Sequence, residues 1–91
     1  MEFTFDPEKD VLNIKNHGIS LDQAPLVFSD PQKLTLQSHR FDEDRLLDIS
    51  FVALHQAIFV LVYVLRGRHM VRSISLRKAS KQERVRYANE I

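Results

Sequence analysis

Apolar residues recur at two spacings along this chain. Phe3 and Phe5 lie on one side of a two-residue period, which predicts a short strand. Asp6 and Pro7 then open a helix, because proline is tolerated at the first helical position and biases the residue before it toward the extended backbone of an N-cap. That helix runs to about Asn16 and stops at His17-Gly18, where Gly18 can adopt the left-handed C-terminal conformation. "SLDQ", Ser20 to Gln23, has the spacing of a capping box, and Leu21, Ala24, Val27 and Phe28 follow at helical intervals. Pro25 falls past the first turn and deletes a hydrogen bond, so this second helix is expected kinked or shortened.

After the Asp30-Pro31 turn the period changes. Lys33 to Ser38 sets Leu34 and Leu36 against polar neighbours, a half-exposed strand, and "HRFDEDR" reads as a charged loop or hairpin end. Leu46 to Leu54 and Ala57 to Leu65 are apolar stretches divided by His55-Gln56, and the second predicts a central strand covered on both faces. "RGRH", residues 66 to 69, turns around Gly67 into a strand from Met70 to about Leu76, and "SKQE", Ser80 to Glu83, is a second capping box that opens a terminal helix. The order β-α-α-β-β-β-β-α predicts an α+β fold, a small antiparallel sheet with two N-terminal helices and one C-terminal helix packed on it. At 91 residues the chain is expected to be a single domain, residues 1–91.

Several function classes drop out on composition. There is no cysteine, and His17, His39, His55 and His69 show no ligand spacing, so no metal site and no cofactor are expected. The longest apolar run has nine residues, about half of a membrane helix, and the N-terminus is acidic where a secretory signal is basic, so the expectation is a cytoplasmic protein with no membrane partner. No P-loop, G-x-S-x-G or H-E-x-x-H motif is present.

Charge is divided unevenly. Residues 1–65 hold 5 Lys and Arg against 10 Asp and Glu, whereas residues 66–91 hold 8 against 2. The imbalance points either to a polyanion partner for the C-terminal end or to attraction between the two parts of the chain. Arg77, Lys78 and Lys81 crowd the start of the last helix, where the dipole opposes cations; a bound phosphate would reverse that conflict. On that helix Val85, Ala88 and Ile91 form the predicted core stripe, with Lys81 and Arg84 on the same side and Tyr87 off it, free to stack a base or position a hydroxyl. Alternation along the preceding strand puts Arg72, Ile74, Leu76 and Lys78 on one face and Val71, Ser73, Ser75 and Arg77 on the other. The alternative for Arg77 and Lys78 is pairing with the acidic stretch Asp42 to Asp44. His17, like Lys15 near a helix C-terminus, suits either proton transfer and phosphate contact or a favourable helix end.

Taken together, "FDPEKDVLNIKNHGIS", "VFSDP", "YVLRG" and "VRSISLRKASKQERVRY" resemble the BrnT family, the toxin half of a bacterial toxin-antitoxin pair. The resemblance implies a RelE-like fold and a metal-independent endoribonuclease that halts translation. It also implies neutralisation by a BrnA-type antitoxin with a ribbon-helix-helix domain, so that DNA is reached only through that partner. It marks Lys15, His17, Arg66, Arg77, Lys78, Glu83, Arg84 and Tyr87 as matching positions. The expected reaction is attack of the RNA 2′-hydroxyl on the adjacent phosphate, with Arg66 and Arg77 on the phosphorane, Lys78 and Lys81 on neighbouring phosphates, and His17, Glu83 or Tyr87 moving protons or positioning the nucleophile. The competing reading is a non-enzymatic module whose basic surface binds an acidic protein.

Overall fold

The computed structural model describes residues 1–40 and 43–90. The elements run β1 (Glu2–Thr4), α1 (Pro7–His17), a 3-10 turn (Leu21–Gln23), α2 (Pro25–Phe28), β2 (Leu34–Arg40), β3 (Glu43–Val52), a second 3-10 turn (Ala53–His55), β4 (Ala57–Arg66), β5 (Met70–Lys78) and α3 (Lys81–Glu90). One five-stranded sheet has the order β1-β5-β4-β3-β2, with β4 at its centre as its apolar run predicts. β2 to β5 form an antiparallel meander, while β1 lies parallel to β5, so the sheet is mixed rather than purely antiparallel.

The signals that bound α1 act as read. Asp6 caps α1 by accepting from the Glu8 N–H at 2.9 Å, and Gly18, at φ 72°, closes it by donating to the Ile14 carbonyl. Pro25 does more than kink the next helix: it divides it into a 3-10 turn capped by Ser20 and a separate single turn of α-helix that Pro25 itself begins. Residues 39, 40 and 43–45 of the expected charged loop belong to β2 and β3, and Phe41 and Asp42 lie outside the described residues.

The helices cover the sheet unequally. On the first face, Ile19, Leu21, Ala24 and Val27 pack over Val52, Phe59, Leu61, Tyr63, Val71 and Leu76. Beneath them Asp48 is fully buried; its Oδ1 accepts from Thr35 at 2.7 Å and Tyr63 at 3.0 Å, while Oδ2 meets the Lys33 ammonium at 2.6 Å. Burial, and then the Asp48 charge, push the Tyr63 phenol well above its ordinary pKa. Ser50 donates to Asp30, the main reason the Asp30 carboxyl is held below its ordinary value. On the second face α3 covers one end only, where Tyr87 and Ala79 pack with Ile49 and Val60.

The terminal helix is turned from its expected orientation. Tyr87 is buried at 6% exposure and accepts a hydrogen bond from the Phe51 N–H at 3.3 Å, whereas Val85 is 53% exposed and Ala88 is also exposed. Ile91 lies outside the described residues. The predicted Val85/Ala88 stripe is therefore corrected: the phenol of Tyr87 fills the contact and satisfies a strand N–H beyond the end of β2, which neither small apolar side chain could do.

β5 carries the irregularity that shapes the site. Tyr63 pairs with Ser73 but Val62 pairs with Ser75, so Ile74 is an extra residue in a β-bulge. Strict alternation cannot bury both Val71 and Leu76, five residues apart; the bulge lets it happen. Beyond the bulge every side chain changes face, so Leu76 joins the first-face core and Ser75 and Arg77 move to the second. The predicted row Ser73, Ser75 and Arg77 is thus broken, with Ser73 buried on the opposite face.

Candidate nucleic-acid interface

Where α3 stops covering the second face, the sheet is open. A cleft of about 220 Å³ lies there, with Ser38 and Arg45 on one side, Ile74, Ser75 and Arg77 on the other, and Leu47 and Val62 between them. Arg77 also borders a neighbouring depression of about 270 Å³ shared with Asn16, His17 and Lys78, so a continuous surface runs from the end of α1 across β5 to β3. A hollow of about 290 Å³ joins His17 to Ile74 and Ser75, whereas those of about 520 Å³ at the β2–β3 hairpin and about 600 Å³ beside Pro31 to Leu34 and Glu90 reach neither Arg77 nor His17.

One buried amide brings α1 to this surface. Asn13, 6% exposed, donates to the Leu76 carbonyl at 2.9 Å and to the Ile19 carbonyl at 2.8 Å, and accepts from the Leu76 N–H at 3.2 Å. β1 pairs only with Met70 to Arg72, so Asn13 replaces a neighbouring strand farther along the β5 edge. One turn on in α1, Asn16 and His17 consequently stand beside Arg77 and Lys78.

Arg77 is held in place. Its Nη1 and Nη2 donate to Glu83 Oε1 at 2.7 Å and Oε2 at 2.9 Å, a two-point pair across the start of α3. Glu83 Oε1 also accepts from the Ser80 N–H at 2.8 Å, and Ser80 Oγ from the Glu83 N–H at 3.2 Å, completing the capping box. The Arg77 hydrogen bonds are the largest cause holding the Glu83 carboxyl down at about 2, and the same bonds hold the guanidinium above its ordinary value. A carboxylate so held is a poor proton donor near neutrality; its place suits it to orienting Arg77. Of the alternative partner, the acidic stretch at 42–44, the described residues are engaged elsewhere, Glu43 with Arg45 and Arg66 and Asp44 with His39 at 2.8 Å, and Asp42 lies outside the described residues.

The remaining candidates are scattered around this centre. Lys78 borders the His17 depression, while Lys15, Lys81 and Arg84 are exposed on their helices, Arg84 donating to the Ala79 carbonyl at 3.0 Å. Tyr87 is in the core and lines none of these hollows, which corrects its expected part in positioning a nucleophile. Arg66 is corrected too: it pairs opposite Met70 and Arg77 opposite Val60, six residues apart on β4, hence about 20 Å along the strand. The two arginines cannot grip one phosphate. Arg66 instead donates to Glu43 Oε2 at 3.2 Å. The sequence reading passed over Arg45, assigned to a loop, and Asn13; counting two-residue steps back from Ile49 puts Arg45 on the Arg77 face. Among the described residues no group of three or more His, Asp or Glu is placed to hold a metal ion, and no helix is long and apolar enough to cross a membrane.

The family model described as "Ribonuclease toxin, BrnT, of type II toxin-antitoxin system" matches residues 5–83. The chain belongs to the BrnT toxin family. Its fold is similar to that in the 1.1 Å crystal structure of the Brucella abortus ribonuclease toxin BrnT, with a TM-score of 0.70 and 22% identity over 89% of this chain and 99% of that one. No curated protein matches the sequence. Membership in a type II toxin family brings an antitoxin partner and an RNA target into view for this BrnT chain.

Proposed function

We propose that this BrnT chain works in the cytoplasm as a single-domain, metal-independent endoribonuclease that halts translation, and that a BrnA-type antitoxin with a ribbon-helix-helix domain neutralises it. The observation that carries the reading is Arg77, fixed by Glu83 at the junction of two hollows with His17 and Lys78 beside it. In the reaction the 2′-oxygen attacks the adjacent phosphorus, the 5′-oxygen leaves, and a 2′,3′-cyclic phosphate forms. The 2′-hydroxyl loses one proton and the leaving oxygen gains one. Arg77 stabilises the charge on the phosphorane oxygens, with a planar fork suited to two of them. His17 carries the side-chain type that both gives and takes protons near neutral pH, and in this reading it serves the leaving oxygen. Lys78 holds a neighbouring phosphate, and Lys15, Lys81 and Arg84 draw the strand in from the rim.

The test is cleavage of RNA by the purified protein in excess EDTA. Arg77→Ala is expected to lose at least about tenfold in rate, which corresponds to ~1.4 kcal/mol of transition-state stabilisation. Cleavage that depends on added magnesium, or that survives the substitution, overturns the assignment. Growth arrest on expression of the toxin alone, relieved by its antitoxin, reads the same activity in cells.

A further inference from the structure

The cleft has two ends, and the reaction above uses only one. We propose that Arg45 is a substrate-binding residue that holds the phosphate neighbouring the one on Arg77, with the intervening nucleoside lying over Leu47 and Val62. The inference rests on the ribonuclease reading and adds to it a subsite for single-stranded RNA.

Register places these groups together. Leu47 pairs with Val62 and Val62 with Ser75, so the three lie level across the second face, with Arg45 two residues along β3 in one direction and Arg77 two along β5 in the other. Both arginines line the same cleft. At about 220 Å³ it is smaller than the roughly 300–1,000 Å³ of clefts that take drug-sized ligands, a size that suits one nucleoside rather than a folded oligonucleotide. Its apolar middle with hydroxyls at the sides, Ser38 and Ser75, matches a base and sugar; the guanidinium at either end matches the flanking phosphates.

Electrostatics favours the same occupant. Arg45 is anchored as Arg77 is, by a glutamate: its Nε lies 3.3 Å from Glu43 Oε1. The anchor limits the side-chain freedom that binding would otherwise remove. Glu43 is shared with Arg66, whose Nη2 lies 3.2 Å from Oε2. Arg72, opposite Val64, adds an exposed cation on the same face. Arg45 is only 22% exposed, which lowers the local dielectric and strengthens its attraction for an anion.

The experiment is fluorescence anisotropy with a short 2′-O-methyl oligoribonucleotide, which cannot be cleaved, titrated at several salt concentrations against the full chain. Arg45→Ala is expected to weaken binding about tenfold and to lower the slope of log affinity against log salt by about 0.7, one phosphate contact on a single strand. Arg45→Lys is expected to keep the slope, and Ser38→Glu, which sets a carboxylate directly across the strand pair from Arg45, to weaken binding. On an all-ribose substrate Arg45→Ala is expected to raise KM with kcat changed less than about twofold. Unchanged affinity and slope in Arg45→Ala, or a fall in kcat at constant KM, overturns the proposal. Wild-type protein that binds the oligonucleotide through Arg45 yet leaves ribose RNA intact overturns the ribonuclease reading and leaves this subsite standing.

Discussion

Arg77 and Glu83 meet fork to fork, at 2.7 and 2.9 Å, and join the last strand to the first turn of the last helix. Because the Glu83 carboxyl is depressed to about 2 from an ordinary 4.5, its contribution to stability is complete above the unfolded value and is lost as pH falls through the folded one. The expected outcome is that Glu83→Gln costs about 2 kcal/mol at pH 7, discounted for partial exposure, and that the gap to wild type closes between about pH 5 and pH 2. Urea unfolding at a series of pH values measures it; a gap independent of pH in that window rejects the linkage.

Asn13 gives a second prediction. Its amide serves both the N–H and the carbonyl of Leu76, and truncation leaves both buried without a partner. Asn13→Ala is expected to destabilise by about 2–4 kcal/mol, at roughly 1–3 kcal/mol per orphaned group. Asn13→Asp, which keeps the shape and the acceptor but has no N–H to offer Leu76 or Ile19, is expected to be no better. A midpoint within a few tenths of molar urea of wild type for either variant contradicts the strand-replacement role.

Much of the fold was legible because strong local chemistry and tertiary packing agree. Asp6, Pro7 and Gly18 bound α1 as their residue types require, and the apolar run from Ala57 made β4 the centre. What escaped the sequence are features that arise only from pairing. Nothing in "RSISLR" says that Ile74 is bypassed, since the bulge is chosen by the need to bury both Val71 and Leu76. Helical spacing offered two faces for α3, and the apolar one lost to Tyr87, whose hydroxyl finds an N–H on a strand 36 residues away in sequence. Of the candidate site, Arg77, Lys78 and His17 come together, while Arg66 does not, because distance along a sheet depends on register and cannot be counted from the order of the residues.

The bulge itself can be tested by removing one residue. Deletion of Ile74 removes the extra residue, so Ser73 and Ser75 become consecutive and strict alternation alone keeps Leu76 in the first-face core and Arg77 on the open face. The deletion is expected to cost no more than about 1 kcal/mol, because no core position empties and no charge is buried. Ile74→Ser, which leaves the residue count alone, is expected to cost about 1 kcal/mol. Thermal melts of the two variants compare the effects; a loss above about 3 kcal/mol in the deletion, the range of emptying a core position, shows that the faces were not kept.

Gln56 sits at φ 52°, a left-handed conformation that ends the second 3-10 turn. A side chain there is strained by about 1 kcal/mol relative to glycine, partly offset by the greater freedom glycine has in the unfolded chain. Gln56→Gly is expected to stabilise the protein by about 0.5 kcal/mol, read as a small rise in melting temperature with no change in RNA cleavage. A lower melting temperature shows that the Gln56 side chain has a role in the turn.

Because α3 reaches only part way across the second face, one end of that face is packed under a helix and the other is open. Side chains at the open end outside the Arg77–Glu83 and Arg45–Glu43 pairs are consequently less constrained by packing. Paralogues could exchange side chains at positions such as 38 and 75 and acquire a different taste in nucleotides while melting at the same temperature, which makes the short reach of one helix a source of evolvability.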